Sequence, residues 1–517
     1  MTISRFPNII LPRRFLLGGA AALGAAALTP SRAAYAQSGT PPRKGGVLRF
    51  CRPDPPDMLE PMQTNSFSGM EFSQMVYDNL VILDDNGQPL PQLATAWEGL
   101  DHGQEWLITL REGVKFHDGQ TLTSADVAAT IERSMDRARA GAGFGAYGPV
   151  QSVSTEGPSK VRVKMTMPFG EFPVVLAFRS CRILPAKGID NLREAPNGTG
   201  PFKFKDFQPG SSITVEKFDG YWNPDVQHLD GVRMVFIREA VAMQAALRGG
   251  QVDLITQIPL ETYLTMRNAR GFKSYSAPTG DYHTIQIMGN MDPFKNAKVR
   301  QAFQYIPDRK AIVASALFGQ GVPGNDVTLP PGNFYLPDLP VIEQDLPKAK
   351  KLLEEAGVKD LTIDAYTTSD RQPAPKMILA FSEAAAKIGV TVRVRDIPYT
   401  EYAANVARKM PMYSSYFSGS ATLYDAIYKI HHSKGIYNYG NTEVAPGLDA
   451  KLDSMIAEVD TAKRKEIAGD VLRLLQANSD RMVPYFRNYV GVTSDKVQGF
   501  QPPKYGTIET RGMWLSA

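Results

Sequence analysis

The sequence is short of the side chains that usually hold metals or run redox chemistry. Its 517 residues include two cysteines and six histidines, and no C-x-x-C, H-E-x-x-H, G-x-x-x-x-G-K-[ST] or G-x-S-x-G run occurs. Thiolate metal sites, zinc-protease helices, phosphate-cradling loops and nucleophile elbows each need their residues at a fixed spacing, so none of them is written in the chain. G-x-G-x-x-G does occur twice, at Gly143, Gly145 and Gly148 and at Gly319, Gly321 and Gly324. Both follow helical patterns, whereas a dinucleotide fingerprint needs a strand ahead of it, so both read as turns. His431 and His432 adjoin; neighbours on one strand or helix point apart, which makes them a poor chelate and places them as a solvated loop pair. His117 reads as a turn residue satisfied locally. No pair of carboxylates is singled out as an acid/base couple, and no cofactor or metal is implied.

A long apolar run is missing too. The first 36 residues carry Arg13-Arg14, a Gly/Ala-rich apolar run to Leu28, and Ala34-Tyr35-Ala36. About 13 apolar residues ahead of Thr29-Pro30 fall short of the roughly 20 that span a bilayer. The segment reads as an export signal of the twin-arginine type, with Pro12 ahead of the pair and cleavage near Ala36 and Gln37. No cysteine ends the run, so a lipid anchor is not expected, and the mature chain is expected to be soluble. The signal holds Arg5, Arg13, Arg14 and Arg32 and no acid. Without these four of the 57 basic residues the basic count equals the 53 acidic residues. A mature chain without net charge has no electrostatic footprint for nucleic acid or an acidic membrane.

What is present is length and regular patterning. Apolar content of 43% and charged content of 21% are those of an ordinary globular protein, and the length calls for two or three packed units. Residues 37–46 are a Pro/Gly linker. Residues 47–51 begin a strand and residues 70–80 a helix. Asp85-Asn86-Gly87 is a hairpin turn. Over residues 106–136 a strand with alternating apolar residues leads through His117-Asp118-Gly119 into a helix. That helix is opened by Thr123 with Asp126 three positions on, a capping box with Asp in place of Glu. It places Val127, Ile131 and Met135 on one face. From residue 345 to 409 helices and strands alternate, which argues an α/β unit with a mixed or parallel sheet. Late helices over 448–457 and 461–477 precede a strand over 483–493. Cys51 and Cys181 could form one disulfide or stay buried and reduced.

The runs LPQLATAWE, LREGVKFHDG, NGTGPF, FDGYW and KAKKLLEEAG stand in order along nearly the whole mature chain. In wording and order they resemble the signatures of the peptide/nickel class, family 5, of extracytoplasmic solute-binding proteins of ABC importers. The resemblance implies an α/β fold of class II type, a two-lobed periplasmic-binding-protein clamp with an additional subdomain in the first lobe. Lobe I would take residues 47–288, with the subdomain at about 85–195. Lobe II would take residues 289–487, and residues 488–517 would return to lobe I. The implied function is capture of a peptide or similar-sized organic solute by hinge closure and delivery to permease subunits that associate transiently. The protein would be a periplasmic monomer, not an enzyme. A secreted hydrolase using cleft carboxylates and a carrier of a nickel-metallophore complex are the alternatives.

The same resemblance locates ligand residues. In dipeptide- and oligopeptide-binding relatives an aspartate in a W-x-G-D segment holds the ammonium, and in dipeptide binders an arginine holds the carboxylate. Here that segment reads Phe417-Ser418-Gly419-Ser420, so Ser420 stands where the aspartate is expected. The arginine position falls near Thr368, with Arg371 three residues later. Asp425 either replaces the missing aspartate or is a loop carboxylate. Tyr147, Tyr416, Tyr424 and Tyr439, with Phe417, are candidates to line the cleft, and Thr64 and Ser66 of the first lobe complete the set. A cysteine of such relatives at the position of Cys51 pairs with one that falls near Gly250 here, so that bridge cannot form.

Overall fold

Two strands are much longer than the others, Phe272–Ile287 with 16 residues and Arg481–Ser494 with 14. In this computed structural model the described residues are 41–439, 443–478, 480–503 and 506–517, so the export-signal reading of residues 1–36 lies outside them. The long strands run antiparallel, with Phe272 to Pro278 paired to Ser494 to Asn488 and the ladder resuming with Tyr282 opposite Phe486. Between the two stretches the register shifts. Among the described residues these strands form the middle of a single eleven-stranded mixed sheet.

On one side of the pair stand Leu254–Thr256, Val47–Arg52, Gly231–Phe236, Ser212–Lys217 and Phe202–Gln208, and on the other Met412–Phe417, Thr362–Thr367 and Thr391–Asp396. Val47–Arg52 lies parallel to both its neighbours, and its VLRFCR sequence is apolar enough to be covered on both faces. Thr362–Thr367 and Thr391–Asp396 are also parallel. They are joined through the helix Ala374–Ala386, which buries Met377, Ile378 and Phe381. The register shift at residues 279–281, opposite Arg487, divides the strands on one side of the pair from those on the other, and is called the crossing below.

A separate four-stranded sheet, ordered Ala94–Leu100, Glu105–Leu110, Lys160–Met165 and Val150–Thr155, forms the additional subdomain. The helix Ser124–Met135 starts from the expected capping box, with the Thr123 N–H donating to Asp126 at 2.8 Å. Val127 and Ile131 are fully buried, but Met135 at the last turn is 39% exposed. The hairpin Val81–Leu83 and Pro89–Pro91 turns on Gly87 at φ +77°, a conformation that glycine adopts without strain. The helix expected over 70–80 lies at Phe67–Val76, capped by Ser66, whose Oγ accepts from the Gly69 N–H. His431 and His432, expected in a solvated loop, are both buried. His431 lies against Thr328, and His432 stacks on Tyr428 at 4.6 Å, because residues 424–431 coil into a turn of helix that folds them inward. Among the described residues no helix is long and apolar enough to cross a membrane.

The apolar packing does not follow this division of the sheet. One large cluster runs from the first-half strands through the subdomain into the helices Leu448–Ala457 and Thr461–Asn478, whereas Ile285, Phe303, Phe381 and their neighbours form a second core. Cys51 belongs to a third cluster with Met243 and Ile255, and Cys181 to the large one. Both thiols are free. Burial pushes Cys51 up to about 11 and raises Cys181 as well, so neither is a ready nucleophile.

The FDGYW run has a specific task in this packing. Asp78 is fully buried and accepts from Gln92 at 2.7 Å and from the Trp222 indole at 3.0 Å, while Arg511 near the C-terminus pairs with it at 2.5 Å. Arg511 also donates to the Tyr221 hydroxyl at 3.1 Å. The motif and the returning chain end thus neutralise one interior carboxylate. Arg511 keeps Glu509 at 2.8 Å, but removing the carboxylate strands the donors of buried Gln92 and half-buried Trp222, so Asp78→Ala is expected to cost about 1–3 kcal/mol, read as a lowered urea midpoint.

Candidate functional site

The crossing itself supplies the first site residues. Asp281 follows the break in the ladder and accepts from the Gly419 N–H at 2.9 Å and from the Tyr416 hydroxyl at 2.7 Å, and Arg487 of the second long strand lies 3.6 Å away. Thr279 donates its hydroxyl to the Arg487 carbonyl at 2.7 Å. Burial, followed by the Asp281 charge, pushes the Tyr416 phenol up to about 12. Burial also pulls Arg487 down, but Tyr416 and Asp281 outweigh it, and its pKa rises. Gly280 and Gly419 meet backbone to backbone: a Cβ on Gly419 would stand 2.6 Å from the Gly280 Cα. Gly419→Ala must therefore part the loop from the strand. An overpacking cost of about 1–3 kcal/mol is expected in chemical denaturation.

The loop after Gly419 carries most of the sequence-expected residues. Phe417 stacks on Tyr282 with centroids 5.5 Å apart and on Tyr439 at 6.4 Å. Ser418 donates to the Tyr416 hydroxyl at 3.4 Å, and the Ser420 hydroxyl accepts from the Thr422 N–H at 3.3 Å. Tyr424 packs between Phe169 at 5.2 Å and Tyr428 at 5.4 Å. Asp425 has its own cation, Lys429 at 2.5 Å, and accepts from the Thr422 hydroxyl at 3.2 Å. Residues 416–425 and Tyr439 are thus brought together.

The rest of the expected set is placed elsewhere. Thr64 and Ser66 both donate to Asp57 in the turn that caps Phe67–Val76. Tyr147 is enclosed in the large core, its hydroxyl without a hydrogen-bond partner. Thr368 is buried and its carbonyl accepts from the Arg371 N–H at 3.1 Å; Arg371 is exposed, its guanidinium 4.6 Å above the Tyr399 ring. His117 is a scaffold residue, its Nε2 3.0 Å from the Gly200 carbonyl and its ring against Phe218.

Two residues of the subdomain reach this loop without any sequence signal. Glu171, fully buried, accepts from the N–H groups of Leu423 at 2.9 Å and Tyr424 at 2.8 Å. Beside it the Gly170 N–H donates to the Ile456 carbonyl at 2.8 Å, and a Cβ on Gly170 would collide with the Glu458 carbonyl oxygen at 1.9 Å. Residues 169–172 therefore clasp the segment that lies between the two long strands. Arg179, eight residues on, is half-buried within electrostatic reach of Asp281, Asp425, Tyr416 and Tyr489, and burial lowers its pKa. Next to the crossing a groove of about 620 Å³ is lined by residues 257–261, 316–318, 320, 372, 373, 376 and 487–490.

Burial pushes the Glu171 carboxyl above its ordinary value, against the pull of Arg464 and of the two N–H donors. Folding then holds the Glu171 proton to a higher pH than the unfolded chain does. Below the ordinary glutamate range, about 4.3, both forms are protonated and nothing is lost. Stability falls as pH climbs from there through the raised folded value. Urea unfolding at stepped pH is expected to show that decline in the wild type and to lack this component in Glu171→Gln.

The model of bacterial extracellular solute-binding proteins, family 5 Middle, matches residues 88–438. The glutathione-binding protein GsiB of Salmonella typhimurium is 26% identical over 356 residues, covering 68% of this chain and 69% of that protein. Among solved structures, the PBP AgaA from A. tumefacien R10 in complex with agropinic acid superposes with a TM-score of 0.75 at 26% identity, over 91% of this chain and 99% of that one. HbpA2 from Haemophilus parasuis gives a TM-score of 0.82 at 22% identity, over 91% and 100% of the two chains, a likeness of fold. That fold is the two-lobed class II binding-protein clamp.

Proposed function

The chain belongs to the bacterial extracellular solute-binding proteins of family 5, and from that premise we propose that it captures a peptide or a similar-sized organic solute between its halves. Its role is that of the substrate-binding component of an ABC importer. The observation that carries the site assignment is the fastening of residues 416–419 onto Asp281 beside the two-strand crossing. In a two-lobed clamp a solute that bridges the lobes stabilises the closed arrangement. Export by the twin-arginine route, release from the membrane and delivery as a monomer complete the reading.

The polar groups argue against ordinary free dipeptides. Ser420 offers a hydroxyl where relatives that grip an ammonium offer a carboxylate. Asp425 could serve only by giving up Lys429, and an enclosed ammonium without a counter-ion costs several kcal/mol. Thr368 is buried with no guanidinium at its position. The ligands named for two similar proteins, glutathione and agropinic acid, fit a reading in which the solute is polar, organic and of peptide size.

Native mass spectrometry of the protein from its own periplasm is expected to show a bound organic molecule. Re-adding that molecule at a hundredfold over its Kd should stabilise the fold by about 2.7 kcal/mol, measured as a shift in melting temperature. A chain that carries nothing and is stabilised by no member of peptide, sugar and amino-acid-derivative libraries would sink the proposal.

A further inference from the structure

We infer that the solute carries a carboxylate and that Arg179 is the residue that receives it, an inference that rests on the solute-binding reading above. The argument is one of unmatched charge. Three acids stand around the 416–425 loop, and each is answered from within the chain. Asp281 has Arg487 at 3.6 Å in addition to two hydrogen-bond donors. Asp425 has Lys429 at 2.5 Å. Glu171 has two backbone N–H groups and feels the charge of Arg464. Arg179 has no such answer: among the described residues its side chain makes no hydrogen bond and no ion pair, and its guanidinium lies 5.1 Å from the Phe178 ring, whereas Arg371 and Arg408, which also lack an ion pair, are exposed and stacked on Tyr399 and Tyr439. The donors of a half-buried guanidinium with no protein acceptor are met by water, which an anionic ligand can displace.

The turn that presents Arg179 is held in place. Asn79, itself buried, donates through Nδ2 to the carbonyls of Leu176 at 2.9 Å, Phe178 at 2.8 Å and Cys181 at 3.3 Å. Its Oδ1 accepts from Arg182, so the second arginine of the turn is consumed in fixing the first. A guanidinium on a rigid turn loses little freedom when it binds, and its planar fork suits a carboxylate. A phosphate dianion suits the site less well: one unmatched positive charge is neutralised by one negative charge, and a second would face Asp281 and Asp425.

The test is isothermal titration of the mature protein with di- and tripeptides and N-substituted amino acids, each as the free acid and as the C-terminal amide. At least one acid is expected to bind about 10- to 100-fold more tightly than its amide. In Arg179→Gln that acid should fall to the affinity of the amide while the amide itself is unchanged, and Arg179→Lys should keep part of the difference. Circular dichroism and the melting temperature of the unliganded variants establish that they fold. An acid-to-amide ratio that survives in Arg179→Gln, or amides that bind wild type as well as acids do, overturns the inference while leaving a solute-binding protein. Absence of binding by any member of the panel to wild type overturns the inference, and the solute-binding reading falls with it only if the native protein also carries no organic molecule.

Discussion

The structure depends on a close backbone contact at the crossing. Gly280 and Gly419 approach so nearly that neither position has room for a Cβ, and this brings Asp281 within hydrogen-bond reach of the Gly419 N–H and the Tyr416 hydroxyl. A strand and a loop that are far apart in the chain are thereby made into one surface. The arrangement of the following loop continues from it: the Phe417 ring on Tyr282, the serines at 418 and 420, and the salt bridge of Asp425 with Lys429.

Charge placement around this surface separates residues that build it from residues left free to bind. Burying a charge is tolerable only when its partner is buried with it. The interior obeys this at Asp78 with Arg511, at Asp326 with Arg309 and at Arg481 with Asp480, and the loop obeys it at Asp425 and Asp281. Arg179 does not, and that exception is what makes it informative. Glu171 is the reverse case: its carboxylate is spent on the N–H groups of Leu423 and Tyr424, clasping the subdomain to the segment between the two long strands. The large apolar cluster that continues from the subdomain into Leu448–Ala457 and Thr461–Asn478 gives the same clasp a hydrophobic backing.

Features governed by neighbours in the chain were legible in advance. The Thr123 and Asp126 capping box, the turn at Gly87 and the alternation of helices and strands after residue 345 all rest on contacts within a few residues. So does the order of motifs that marked the family. Elements whose limits are set by packing were displaced: the helix at Phe67–Val76 begins earlier than its apolar pattern implies because Asp57 and Ser66 cap it, and Met135 leaves the buried face where the last turn lifts away. His431 and His432 look like a loop pair in sequence and are buried because the residues before them coil.

The order of motifs along the chain was enough to identify the family and, with it, the α/β clamp. Which charges remain to meet a ligand was decided only by tertiary structure. Whether Arg179 is free and Arg182 engaged depends on Asn79 a hundred residues earlier, and whether Asp281 faces the loop depends on two glycines that touch across 139 positions of chain. Electrostatic pairing is a property of distance in space, and nothing in the local pattern around an arginine or an aspartate says whether its partner has been supplied.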